Sequence, residues 1–117
     1  MLEWVMTDQG DYVAVMAVDD IKESKLYPIE VNGKELLLTM VDGEVHIVDG
    51  ICTHEYAQLW DGELEDGTIW CPLHSSGFCL KTGKATNPPA IDPLPIYPVR
   101  IDGGQVYVSL TPTTKAG

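Results

Sequence analysis

Residues 52–74 read CTHEYAQLWDGELEDGTIWCPLH, a stretch that opens with Cys-x-His and closes with Cys-x-x-His. Sixteen residues separate His54 from Cys71, so each end offers one thiol and one imidazole. Thiolate and imidazole suit iron, zinc or copper, which makes Cys52, His54, Cys71 and His74 a candidate set of four metal ligands. Structural zinc sites usually group cysteines and then histidines along the chain, and this order does not. A two-iron, two-sulfide cluster with both thiolates on one iron and both imidazoles on the other uses one of each from each loop. A nucleophile pair of Cys71 and His54 would leave the other two residues unused.

Outward from this stretch the chain reads as sheet. Asn32-Gly33, Asp42-Gly43, Asp66-Gly67, Thr82-Gly83 and Asp102-Gly103-Gly104 are turn signals, several flanked by alternating apolar and polar residues. The expected strands are 12–18, 26–31, 36–40, 44–48, 68–70, 78–81, 98–101 and 105–110. AVDDIKES, with Asp19 or Asp20 as a cap, is long enough for one helical turn only. The fold class is all-β, with residues 51–64 and 71–78 forming an inserted lobe that holds every ligand candidate. ATNPPAIDPLPIYP, residues 85–98, carries five prolines and is expected to run beside that lobe as a stiff extended loop. In CPLHSSG, Pro72 fixes a backbone angle, Gly77 permits a sharp bend, and successive amides can point at sulfur.

The chain has 117 residues, enough for one core without disulfides. No apolar run reaches the roughly 18 residues of a membrane span, and no secretory or twin-arginine signal is evident. Three cysteines are an odd number, which fits a reducing compartment, so cytoplasm is the expected location. The formal charge of −11 repels nucleic acid and anionic membranes and draws in proteins with a basic patch. Cys79 reads as a small buried residue, His46 as an exposed strand position, and Trp60 and Trp70 as core of the lobe.

On CTH, CPLH and GFCLKTGKATNPPA the sequence resembles the Rieske ferredoxins, in particular those of bacterial aromatic-ring dioxygenase systems, over about residues 12–110. The resemblance implies a Rieske fold: stacked antiparallel sheets with a small cluster-binding subdomain, about residues 50–80, built from two ligand loops. Residues 1–11 are then an N-terminal extension, with Trp4 and Val5 in an added edge strand or a contact special to this protein, and 111–117 are a C-terminal tail. The cofactor implied is one [2Fe-2S] cluster, with Cys52 and Cys71 on the inner iron and His54 and His74 on the outer.

High-potential relatives brace the cluster with a disulfide, at positions that Ala57 and Leu73 occupy here. They also place serine and tyrosine hydroxyls beside it, where this chain has Ser76 and Phe78. With one donor missing, the resemblance implies a potential near the low end of the Rieske range, about −150 mV. Imidazoles on the outer iron would couple electron gain to proton gain at alkaline pH. Glu55, Tyr56, Leu73 and Pro89 would surround the imidazole tip as a partner-docking surface.

The function implied is electron carriage, by a monomer without catalysis of its own. Electrons would pass from an NAD(P)H-dependent ferredoxin reductase to a terminal aromatic-ring hydroxylating oxygenase. The alternatives are a small redox subunit of an assimilatory nitrite-type reductase, whose relatives often lack the ligands, and a zinc-stabilised interaction module.

Overall fold

The computed structural model describes residues 4–7, 10–51, 58–72, 77–85 and 93–110. The strands are β1 (Trp4–Thr7), β2 (Gly10–Ala17), β3 (Leu26–Val31), β4 (Lys34–Val41), β5 (Glu44–Asp49), β6 (Glu63–Glu65), β7 (Thr68–Trp70), β8 (Gly77–Cys79), β9 (Ile96–Tyr97), β10 (Val99–Asp102) and β11 (Gln105–Ser109). They form three antiparallel sheets, ordered β1-β2-β11-β10, β3-β4-β5-β9 and β6-β7-β8.

The turn dipeptides act as their sequences require. Asn32-Gly33, Asp42-Gly43, Asp66-Gly67 and Gly103-Gly104 each have positive φ at both residues, the backbone of the tight turn that matches strand twist. Glu23 supports the second of these, its carboxylate accepting the amides of Asp42 and Gly43.

Strand β4, KELLLTMV, decides the layering. Leu36 to Thr39 are all buried, which one half-exposed sheet could not arrange. Leu36 and Leu38 point to a core with Val13, Ile47, Val106 and Val108, while Leu37 points to a second core with Val48, Ile69, Phe78 and Leu80. The β3-β4-β5-β9 sheet is therefore the middle layer, between the β1-β2-β11-β10 sheet and the lobe, and its strands read as an apolar run because both faces are covered. Pro28 sits in β3, the edge strand of that layer, where its missing N–H is tolerated.

Three expectations need correction, and one pair of alternatives is decided. The segment after Ala17 forms a 3-10 turn, Val18–Asp20, but neither aspartate caps it: the cap position is Ala17, with no side-chain hydrogen bond. The proline-rich stretch is not loop throughout, because Ile96 and Tyr97 pair with Val48 and Ile47 at the sheet edge. Residues 63–65, outside the expected strands, form a strand that pairs with β7 across the Asp66-Gly67 turn. Trp4–Thr7 is an outer strand paired with β2, which settles the edge-strand alternative for that segment.

Candidate metal centre

Each candidate ligand loop is closed at its base by antiparallel pairing. Ile51 bridges Gln58 across the segment that contains Cys52 and His54. Trp70 pairs with Gly77 across the segment that contains Cys71 and His74. Three main-chain bonds hold the first base: Asp49 N–H to the Pro95 carbonyl at 2.9 Å, Gly50 N–H to the Glu35 carbonyl at 2.9 Å, and Leu59 N–H to the Gly50 carbonyl at 2.8 Å. A side chain at Gly50 would begin 2.6 Å from the Trp60 ring and 3.0 Å from the Glu35 oxygen, so glycine lets β5 pass closely beneath that indole. At the far end of the β7–β8 pairing, away from that base, Leu80 N–H reaches the Gly67 carbonyl at 3.0 Å.

Cys71 directly follows β7 and is 4% exposed, packed in a core with Leu59, Ile69, Phe78, Leu80 and Leu94. A thiolate in such surroundings needs a cation to compensate its lost hydration, and a metal centre supplies one. The donor chemistry fits an iron–sulfur group: a water-shielded sulfur at the base of a loop whose next candidate donor is an imidazole. Phe78 is fully buried in the same core, pairs with Ile69 and bridges Ala85, so no hydroxyl stands there. Cys52, His54, Glu55, Tyr56, Ala57, Leu73, His74, Ser76 and Pro89 lie outside the described residues. Among the described residues no three His, Cys, Asp or Glu side chains gather as a metal site.

The ends of the proline-rich stretch lie against the lobe, as expected. Ala85 bridges Phe78, and Leu94 is fully buried beside Cys71 with its N–H on the Gly83 carbonyl at 2.6 Å. Trp60 packs on the lobe core, but Trp70 is only partly covered and lines a cleft of about 430 Å³ with Asp61, Glu63, Glu65, Cys71 and Pro72. The sequence carried a signal for that acidity: residues 35–80 hold nine Asp and Glu and no Lys or Arg.

Two side chains differ from expectation. His46 is not an exposed position: 14% of its side chain meets solvent, and burial lowers its pKa, with Lys81 adding to the effect and Glu44 opposing it. Cys79 is half-buried. Burial pushes its thiol up, but hydrogen bonds from the Thr82 hydroxyl and the Thr82 and Lys81 amides, with the Lys81 charge, outweigh that and leave it below the usual thiol range. Asp49, three residues before Cys52, has its pKa raised by burial, with Lys34 opposing. Lys34 itself donates to the Tyr97 hydroxyl at 3.2 Å and lies 5.5 Å from the ring centre, which places the ammonium beyond the phenol oxygen and not over the ring face.

A family model for the Rieske [2Fe-2S] domain matches residues 11–98. The ferredoxin component of the naphthalene 1,2-dioxygenase/salicylate 5-hydroxylase systems of a Ralstonia species is 38% identical over 100 residues, covering 86% of this chain and 96% of that protein. The 3-phenylpropionate/cinnamic acid dioxygenase ferredoxin subunit of Escherichia coli strain K12 is 42% identical over 94 residues, covering 80% and 88%. Among solved structures, a chain of the complex of reduced oxygenase and oxidized ferredoxin in carbazole 1,9a-dioxygenase superposes with a TM-score of 0.83 at 27% identity, covering 89% of this chain and 97% of that one. With the family model spanning the middle sheet and the whole lobe, and the one described donor packed among apolar side chains, this chain belongs to the Rieske [2Fe-2S] domain family, whose cofactor is a two-iron, two-sulfide cluster.

Proposed function

We propose that this protein carries one electron from an NAD(P)H-dependent ferredoxin reductase to a terminal aromatic-ring hydroxylating oxygenase, and catalyses no reaction on the aromatic substrate itself. The observation that carries this reading is the extent of the match: 96% of a dioxygenase ferredoxin component is covered at 38% identity. The working unit is residues 12–110, with the cluster lobe at about 50–80, between an extension at 1–11 and a tail at 111–117. Cys52 and Cys71 hold the inner iron, and His54 and His74 hold the outer. The cluster supplies a site that accepts and gives up a single electron.

The chain's own residues shield and present that site. Leu59, Ile69, Phe78, Leu80 and Leu94 exclude water from Cys71, which favours short-lived storage of charge without hydrolytic loss of the sulfur ligand. Ser76 offers a hydroxyl near the cluster and Phe78 offers none, which favours a low potential. Glu55, Tyr56, Leu73 and Pro89 form the docking surface at the imidazole tip, where contacts are small enough for partners to exchange quickly. The carrier works as a monomer in the cytoplasm. No helix of the described residues is long and apolar enough to cross a membrane.

The test is anaerobic purification with iron, sulfide and zinc analysis, reduced-state EPR, and stopped-flow oxidation of the reduced protein on mixing with a terminal oxygenase. Two irons and two sulfides per chain, a rhombic signal averaging below the free-electron g, and reoxidation on mixing are expected. Stoichiometric zinc without sulfide, in protein never exposed to excess zinc, would overturn the reading.

A further inference from the structure

Gly62 joins the two loop bases. From Gln58, where the first loop closes, a 3-10 turn at Leu59–Asp61 leads directly to Gly62; the Asp61 N–H bonds to the Gln58 carbonyl at 3.1 Å and the Gly62 N–H to the Leu59 carbonyl at 3.0 Å. Gly62 then faces the end of β7, because the next residue, Glu63, pairs with Trp70. A Cβ at Gly62 would fall on the Trp70 carbonyl oxygen, with the Trp70 carbonyl carbon at 3.1 Å and the Leu59 carbonyl oxygen at 3.2 Å. The backbone of Gly62 is extended, φ −91° and ψ −156°, which any residue adopts. Glycine is thus required by the close approach and not by the torsion angles.

The carbonyl that fills this space belongs to the peptide that links Trp70 to Cys71, and its orientation sets the direction in which the Cys71 Cα leaves β7. We infer that Gly62 is a positioning residue for the cluster: its absent side chain lets the turn leaving the first ligand loop seat against the peptide that aims Cys71, and so sets the span between the two loops. This rests on Cys71 being a ligand. A methyl group at position 62 meets backbone atoms on both sides, neither of which can rotate away as a side chain could. The turn must lift from β7, or the peptide between Trp70 and Cys71 must tilt, and either movement shifts one ligand loop relative to the other.

Gly67 is the matched control. It sits in the same hairpin with φ +76° and nothing within 4 Å of where a Cβ would stand. Alanine there strains the turn without touching either loop base.

The experiment compares holoprotein carrying Gly62→Ala with holoprotein carrying Gly67→Ala, measuring Tm, EPR g values, midpoint potential, and the rate of iron loss to a chelator. Both variants are expected to melt lower. Only Gly62→Ala is expected to shift the g values and potential and to lose iron faster, by about 10- to 100-fold, the range for supporting residues around metal ligands. Should Gly62→Ala retain no cluster, a cluster-loaded Gly67→Ala of equal or lower Tm supports the inference, and loss of the cluster from both overturns it. A wild-type spectrum, potential and iron-loss rate in Gly62→Ala also overturns it. Cys71→Ser separates the two readings: a wild-type cluster in that variant removes the ligand assignment, whereas a changed or absent cluster there beside an unchanged Gly62→Ala removes only the role of Gly62.

Discussion

The buried ring of Phe78 occupies a place where a hydroxyl would face either the cluster or an apolar wall, and Phe78→Tyr distinguishes the two. A hydroxyl bonded to sulfur favours the reduced, more negative cluster. One such bond, about 1 kcal/mol, raises a one-electron potential by about 40 mV. A lower Tm with no change in potential would show that the ring points away from sulfur. Asp49 and His46 have opposite pH signatures. The folded-state pKa of Asp49 is raised above 3.8, so its stabilising share is present below that pH and lost as the pH rises through the folded value. Asp49→Asn is therefore expected to raise the Tm at neutral pH and not in acid, and a neutral-pH Tm that falls would count against burial as the dominant cause. The His46 pKa is lowered below 6.5, so its share is present above that pH and lost as the pH falls through the folded value. His46→Gln is expected to flatten the decline in Tm between about pH 7 and pH 5. An unchanged slope would show that another group dominates.

At the scale of an element, β4 is the strand on which both cores depend, and one side-chain bond ties it to the chain entering β3. Thr39 is fully buried on β4, paired with Leu26 on one side and His46 on the other, and its hydroxyl donates to the Lys25 carbonyl at 2.7 Å. Thr39→Val keeps the shape and removes the donor. A loss of about 1 kcal/mol is expected, seen as a Tm lower by about 4 °C. A variant as stable as the parent would mean that water reaches Lys25 and replaces the bond. The lobe depends on shorter elements. β6, β7 and β8 have three residues each, so their order derives from the shared core of Leu59, Ile69, Phe78 and Leu80 more than from their own pairing.

The whole molecule carries a formal charge of −11, concentrated in the middle of the chain, where nine acidic residues between 35 and 80 meet no Lys or Arg. An oxidised cluster of two ferric ions and two sulfides on two thiolates is neutral, so loading does not offset this field. Encounter with a basic partner is then accelerated over a distance set by salt, roughly 30 Å at 0.01 M and roughly 8 Å at 0.15 M. The second-order rate of electron delivery from a reductase is expected to fall steeply across that range, while the rate within the preformed complex stays constant. A second-order rate indifferent to salt would show that apolar contact, and not charge, governs encounter.

Information confined to a few neighbouring residues was legible in the chain itself. The Asn-Gly and Asp-Gly turns, β3 at residues 26–31 and β7 at residues 68–70 follow from local torsion preferences and alternation, and the two Cys/His spacings follow from what a pair of loops can offer a metal. The packing of layers decided the rest. β6 and β9 are too short to announce themselves and exist because β7 and β5 present open edges. His46 has the same neighbours in sequence whether exposed or buried, and only the tertiary structure brings Lys81 near it, whereas the Thr82 and Lys81 groups that act on Cys79 come from the turn that follows it in the chain. Gly62 looks like an ordinary turn glycine until the Trp70 carbonyl occupies the space beside it. Torsions and ligand types are local properties written residue by residue, whereas burial, pKa and the span between two loops depend on surfaces meeting across the fold.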